Sequence, residues 1–516
     1  MSGNLDDIIP QAGVKTRSKI LLVLIFLLIL GFIFLLPHGR YRHAVEAYKK
    51  ELLARGEKLT IAELVPPPSS DASNGAKAFM QLMSNYREPT NLQSELQFVA
   101  PGLANVAFTN IGSAEMLVYE QNRSNVAELC NVLNRASDLD FDLDYSSGFK
   151  PALPHLLKLK MAALLISGTA MQAYAAKDFP GARMDLLASV NLFRLYSNEP
   201  IIISDLVRAN LARIAAGATW EGLQCDEWTD PQLAELQNKW EDINLLTNAT
   251  TAIATERAWE IAWMAELRRT HKFGGQDLID DLSSRFSSAS DDGLLGYLRQ
   301  HLNKLGGRAR FWRWKTSWSY DEELRLLQLG GAASDLALSA NATGAFLPGL
   351  AQFNQQVSNL RQTCSIDETH FLIIGSVSGA TFQSYNTDLL RLAETETVCR
   401  LTVTAIALKR YHLQHGDYPW ALHDLVPAYL SAVPNDFLDG RPLRYRLRPD
   451  GDFLLYSVGE DGEDNGGNPS STNSEILAEY GPLLAGRDIV WPRVATPAAL
   501  EEYHRLSQSA TNSPAK

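Results

Sequence analysis

Cysteine is scarce and scattered in this chain. Cys130, Cys225, Cys364 and Cys399 form no CxxC pair, which argues against a zinc knuckle or a thioredoxin-type dithiol; they stand either as free buried thiols, the preferred reading, or as pairs in an oxidising compartment. Positive charge is also short: 47 Lys and Arg face 59 Asp and Glu, a formal net charge of −12. Phosphate backbones are held by clustered cations, so nucleic acid is not expected as a partner. There is no P-loop, no dinucleotide-binding GxGxxG and no HExxH. GSVSG at Gly375–Gly379 misses the nucleophile elbow because Val377 holds its centre. No pair of carboxylates is placed by sequence for general acid–base work. Apolar residues are not lacking: with 46% hydrophobic and 21% charged residues over 516 positions, the chain can fold as more than one globular domain.

One long apolar run is present. Ile20–Leu36 reads ILLVLIFLLILGFIFLL without a charge, the short end of the roughly 17 to 25 residues that span a bilayer. PHGRYRH follows it and offers no A-x-A-like cleavage site, so an uncleaved signal anchor is expected rather than a signal peptide. Cations flank the run almost evenly, with Lys15, Arg17 and Lys19 before it and Arg40, Arg42, Lys49 and Lys50 after it. Long domains translocate largely regardless of such charges. The expected organisation is a cytoplasmic tail over 1–19, a transmembrane helix over 20–36 and a stalk with a Pro-rich linker over 37–75. A helical ectodomain over 76–390, a C-terminal module over 391–495 and a flexible tail over 496–516 follow.

Pro66–Pro68 stop any helix, and Asp71, Ser73 or Asn74 can cap the next one near Ala76. From there the helical period dominates. Leu156–Ala176 is a long apolar helix, Lys177-Asp178-Phe179-Pro180 breaks it, Gly181–Tyr196 returns, and Ile201–Leu223 makes a third. The pair does not repeat at a fixed period, so an irregular helical bundle is expected rather than a solenoid. Leu282–Asp292 is serine-rich and reads as a loop. A helix opens the final module near residue 391, and Gly416 is its expected stop. After Pro442 the period changes to two: Leu443, Tyr445 and Leu447 alternate with Arg444, Arg446 and Arg448, then PDGD and FLLYSV follow. Asp-Gly between alternating runs predicts a hairpin. The fold class is therefore mainly α, ending in a small α+β module with an antiparallel sheet.

The stretch from Leu408 carries an ordered set of motifs: Gly416, Tyr418 and Pro419; Leu425; Pro434 and Asp436; Gly440, Pro442 and Tyr445; Ser457, Gly459, Asp461 and Gly462; then Asp488-Ile489. This order resembles the C-terminal part of the major pseudopilin of type II secretion systems. The chain also looks like long bacterial membrane-anchored proteins that open with a segment like RGEKLTIAELVPPP and end in this module. The pseudopilin G-F-x-x-x-E cleavage motif is missing before the apolar run, which follows TRSK, and some 350 residues separate the run from the module. Pilus-type polymerisation and prepilin peptidase processing are therefore not expected.

YSVGEDGEDNGG at Tyr456–Gly467 packs Glu460, Asp461, Glu463 and Asp464 between glycines. As an EF-hand it fails, because position 12 falls on Thr472 where a bidentate glutamate is needed. In the pseudopilin family this loop binds calcium, which implies Asp461 and Asp488 as ligands here, with Asp464 a further candidate. The other reading is a solvated turn without an ion. His412 and His415, three apart with His423 nearby, are read as a solvated helix end rather than a zinc site. Phe311–Tyr320, FWRWKTSWSY, is read as a helix with tryptophans inward and cations outward, with a lipid-headgroup or sugar surface as the alternative.

These observations lead to a non-catalytic, single-pass protein of the bacterial inner membrane. Its large C-terminal region would be periplasmic, acting as a helical scaffold or binding ectodomain with a calcium-stabilised docking module. The expected partners are the lipid bilayer and envelope or secretion proteins. The alternatives are a periplasmic hydrolase without a recognisable motif and a membrane-surface or glycan binder.

Overall fold

Helix dominates this chain because apolar residues recur at helical spacing over most of its length. In a computed structural model, residues 38–65, 74–84, 113–147, 153–269, 312–364, 380–468 and 487–492 are described. The 20–36 run, the 282–292 loop, GSVSG and the 496–516 tail lie outside these residues. Among the described residues, no helix is long and apolar enough to cross a membrane. In chain order the helices are α1 (38–54), α2 (Ile61–Leu64), α3 (Ala76–Ser84), α4 (Ser113–Arg135), α5 (Pro154–Ala175) and α6 (Phe179–Leu195). They continue with α7 (Ile202–Leu223), α8 (Asp230–Trp240), α9 (Leu246–Arg269), α10 (Ser319–Thr343), α11 (Leu347–Cys364) and α12 (Ala380–His415). A π-helical turn, Trp314–Trp318, leads into α10. The strands are β1 (Arg444–Leu447), β2 (Phe453–Ser457) and β3 (Ile489–Val490). They form one antiparallel sheet in the order β1-β2-β3.

The chain sorts into two compact units, neither of them continuous. The first takes residues 1–59, 257–330 and 358–382; the second takes 60–256, 331–357 and 383–516. In the first unit α1 is more than a polar stalk. Val45 and Leu52, seven apart on one face, are fully buried, and Lys49 pairs with Glu323 at 2.6 Å.

In the second unit Asn74 starts α3: its side-chain oxygen accepts from the Ala76 amide at 2.9 Å. The same side chain grips both backbone groups of Asp140. The α5–α6 hairpin turns at Lys177, which takes a φ of +60°. Asp178 caps α6 by accepting from the Gly181 amide, and Pro180 occupies the first turn, where a missing N–H costs nothing. Helix α7 packs on both members of this hairpin. Close approach is possible because the facing residues are small: Ala162, Ala163, Ala182, Ala188, Ala209, Ala212, Ala215 and Ala216 are all buried. Burial reaches almost round α7 and takes Asp205, Arg208 and Glu221 with it.

The C-terminal elements belong to this same unit. The helix expected from about 391 begins at Ala380 and runs 36 residues. No glycine or proline interrupts residues 380–391, so the helix runs through them. It ends where expected, Gly416 taking a φ of +83° while its amide donates to the His412 carbonyl. The hairpin pairs Arg444 with Tyr456 and Leu447 with Phe453, and Gly451 makes its turn at a φ of +85°. The module is fixed to the helices by Arg410 on Asp230 at 2.7 Å. Gln237 donates to the Tyr429 carbonyl, and the Trp220 indole to the Pro492 carbonyl.

Glu221 is 2% exposed and neither carboxylate oxygen finds a hydrogen-bond partner among the described residues. Burial raises its pKa well above the usual carboxylate value. The folded state then keeps a proton that the unfolded state releases above about pH 4.5, so this group makes stability fall as pH rises from there. Urea denaturation between pH 5 and 8 should show that decline in the wild type and a shallower one in Glu221→Gln. Equal slopes would show that Glu221 carries its charge in the fold.

Candidate functional site

The acidic loop after β2 is built by backbone amides turned inward. Asp488, fully buried, precedes β3. Its Oδ2 accepts from the amides of Gly467 at 2.8 Å and Asn468 at 2.9 Å, and its Oδ1 from Asn465 at 3.4 Å. Burial raises its pKa, and those three amides work against the rise. The chain can wrap so closely only because Gly467 has no Cβ: one would meet Leu454 Cδ2 at 2.7 Å, and the residue sits at a φ of +81°.

Asp464 lies in the same loop. Its Oδ1 accepts from the Tyr456 hydroxyl at 2.8 Å and from the Gly466 amide at 3.0 Å. The Gly466 amide, then the Tyr456 hydroxyl, holds its carboxyl below the usual range. Asp461 is exposed; its oxygens accept from the Glu463 amide at 2.9 Å and the Asn465 side-chain amide at 3.1 Å. Asp488 thus reaches the loop that holds Asp461 and Asp464, and each of the three is engaged by N–H or O–H donors. Among the described residues, no three His, Cys, Asp or Glu side chains converge closely enough to hold a metal ion. Asp488 is held mainly by backbone amides, and Asp461 and Asp464 each accept hydrogen bonds within the loop, contacts that a ligating carboxylate also commonly makes.

The cation among these acids is Arg444, which the alternating pattern presents only as an outward strand position. Its guanidinium donates to both oxygens of Asp439, lies 3.3 Å from the buried Asp436, and lies 4.0 Å from Asp464. Burial alone would raise Asp439, but hydrogen bonds from Arg444 and the Arg441 amide bring it below the usual range. Asp436 also accepts from the amides of Leu438 and Val458, both at 3.0 Å. The turn before β1 and the end of β2 are thereby locked together.

A groove of about 470 Å³ opens beside this lock. Leu347, Pro348 and Leu350 from the first turn of α11 make its apolar wall; Asp439, Arg441 and Asp461 make its polar edge. The two walls are joined by backbone, the Phe346 and Leu347 amides donating to the Phe437 and Leu438 carbonyls at 2.8 Å.

Other candidates resolve into structure. His412 stacks on Tyr418 and His415 on Tyr411, so these rings pack against aromatics rather than facing one point. Trp314 is buried, as expected, but Trp312 is 62% exposed. Cys130, Cys225 and Cys399 are free thiols. Cys225 lines a cavity of about 400 Å³ with Tyr174 and Trp228, yet burial pushes its thiol up to about 11, away from nucleophilic use. One cluster was invisible to sequence reasoning. The buried His155 lies 2.9 Å from Glu199, which also accepts from Tyr196 at 2.6 Å and Ser204 at 2.8 Å. Ser204 donates to the carboxylate and not to the imidazole, so this is no nucleophile–base pair. It pins the turn between α6 and α7 to the start of α5.

The chain matches no family model, no curated protein and no solved structure.

Replacing Arg444 with alanine leaves Asp436 buried without its cation and should cost on the order of 3 kcal/mol, read as a lower urea midpoint. In the Arg444→Ala, Asp439→Ala double variant the losses should be less than additive. Full additivity would show that the pair does not act together.

Proposed function

We propose that this chain is a non-catalytic, membrane-anchored scaffold of the bacterial envelope, docking a partner protein in the groove beside its acidic loop. The supporting observation is the groove itself. It has an apolar wall of Leu347, Pro348 and Leu350, a charged edge, and backbone bonds that fix both sides before anything arrives. A preformed apolar cleft with a few placed charges suits the binding of a peptide segment. The carboxylates around it are committed to Arg444 and to amides, not poised for proton transfer. The apolar run at 20–36 is the proposed anchor, with 1–19 cytoplasmic and the remainder periplasmic. The likeness of 408–489 to a pseudopilin end fits docking to a secretion or envelope protein.

A reporter fused after Lys516 should be active only in the exported compartment; activity in the cytoplasm sinks the topology. For docking, Leu350→Asp should abolish recovery of a partner cross-linked from Asn354, an exposed residue that also lines the groove, while leaving the melting temperature unchanged. Retained cross-linking moves the site elsewhere.

For calcium the proposal is narrow. With Asp488 satisfied by amides, the loop closes without a cation, and the full chain should melt alike in calcium and in chelator, while Asp488→Ala lowers the melting temperature in both. A calcium-dependent rise lost in Asp461→Ala would instead assign a cation to the loop.

A further inference from the structure

The first unit carries a feature that the docking groove does not use. Three of its helical segments share one end. His38, the first described residue of α1, packs its ring on Tyr320, with centroids 4.9 Å apart. Tyr41 packs on Trp318 at 6.1 Å. Arg268, near the end of α9, lies over the same Tyr320 ring at 3.8 Å and donates to the Ser319 carbonyl. At the other end of α1, Arg257 pairs with Glu57. So α1 and α9 run antiparallel, and the start of α1, the end of α9 and the π-helical turn before α10 lie together.

That end is where the apolar run arrives, since Leu36 is two residues before His38. It is aromatic and basic. Trp314 is buried and donates its indole N–H to Glu322, which anchors the turn. Trp312, two residues earlier, is 62% exposed. Arg40 and Arg42 on α1 are exposed, and Arg313, next to Trp312 in the chain, is half-exposed. Tryptophan is enriched at both membrane–water interfaces, its indole at headgroup level, and a basic side chain close to a bilayer surface is drawn to anionic lipid wherever that leaflet carries it. π-helical turns are rare and cluster at functional sites.

We infer that this end of the first unit is a membrane-interface collar: Trp312 inserts at headgroup level and Arg40, Arg42 and Arg313 contact anionic phospholipid around the emerging chain. The inference rests on the anchored reading above. A collar fixes the orientation of the first unit on the bilayer, which a lone helix on a flexible stalk cannot do.

The test uses the full chain reconstituted in vesicles of phosphatidylcholine and phosphatidylglycerol. Flotation after alkaline carbonate reports the anchor, and the emission difference between wild type and Trp312→Phe isolates Trp312. The collar requires that this difference be lost with lipids brominated near the headgroup and kept in aqueous iodide. It also requires that Arg40→Gln, Arg42→Gln, Arg313→Gln together weaken the lipid quenching while flotation persists. Chains that float but show Trp312 quenched by iodide and untouched by brominated lipid overturn the collar and leave the anchor standing. Iodide quenching relieved by a soluble oligosaccharide would assign the tryptophan to sugar instead. Failure to float overturns both readings.

Discussion

One guanidinium organises the C-terminal part of this protein. Arg444 reaches Asp436, Asp439 and Asp464, and its planar fork of donors lets one side chain meet several carboxylates that would otherwise repel one another. Asp436 adds two backbone amides, so the turn before β1, the strand β1 and the end of β2 become one rigid piece. Asp488 then gathers the acidic loop from the opposite side using amides alone. The groove forms where this piece meets α11, the Phe346 and Leu347 amides donating to the Phe437 and Leu438 carbonyls. Arginine and peptide dipoles thus supply positive partners to these carboxylates.

The helical body solves the same problem in the opposite way. Glu221 and Asp205 are taken inside with little compensation: burial raises both carboxyls well above their usual value, the nearby Arg208 working against it only for Asp205. The neutral form removes the cost of a buried charge but leaves a dependence on pH. Small residues around α7 allow the close packing that makes such burial possible.

Local rules were legible in the sequence. The Asn74 cap, the break at Lys177–Pro180, the stop at Gly416 and the Asp-Gly hairpin each depend on a few neighbouring residues, and each occurs. The acidic loop was equally visible. What escaped were pairings across distance. The His155–Glu199 contact joins residues 44 apart, and no periodicity encodes it. Arg444 looked like one of three outward arginines on a strand, and only the fold of the preceding turn brings Asp436 and Asp439 to it. Helix α7 defeats pattern reading for another reason: a helix buried almost all round has no polar face, so Glu221 passes for a surface charge.

On the proposed membrane-anchored reading, a lipid surface would act oppositely on two parts of the molecule. The start of α1 and the π-helical turn gather arginines beside an exposed tryptophan, whereas the loop after β2 exposes Glu460, Asp461 and Glu463. An anionic bilayer attracts the first and repels the second over about one Debye length, roughly 8 Å at physiological salt. Beyond that range neither force acts, and short-range fit takes over. A groove edged by carboxylates therefore suits a partner that approaches from solution with basic residues flanking an apolar segment. Opposite charge would speed the encounter, while Leu347, Pro348 and Leu350 would supply the contact area that holds it.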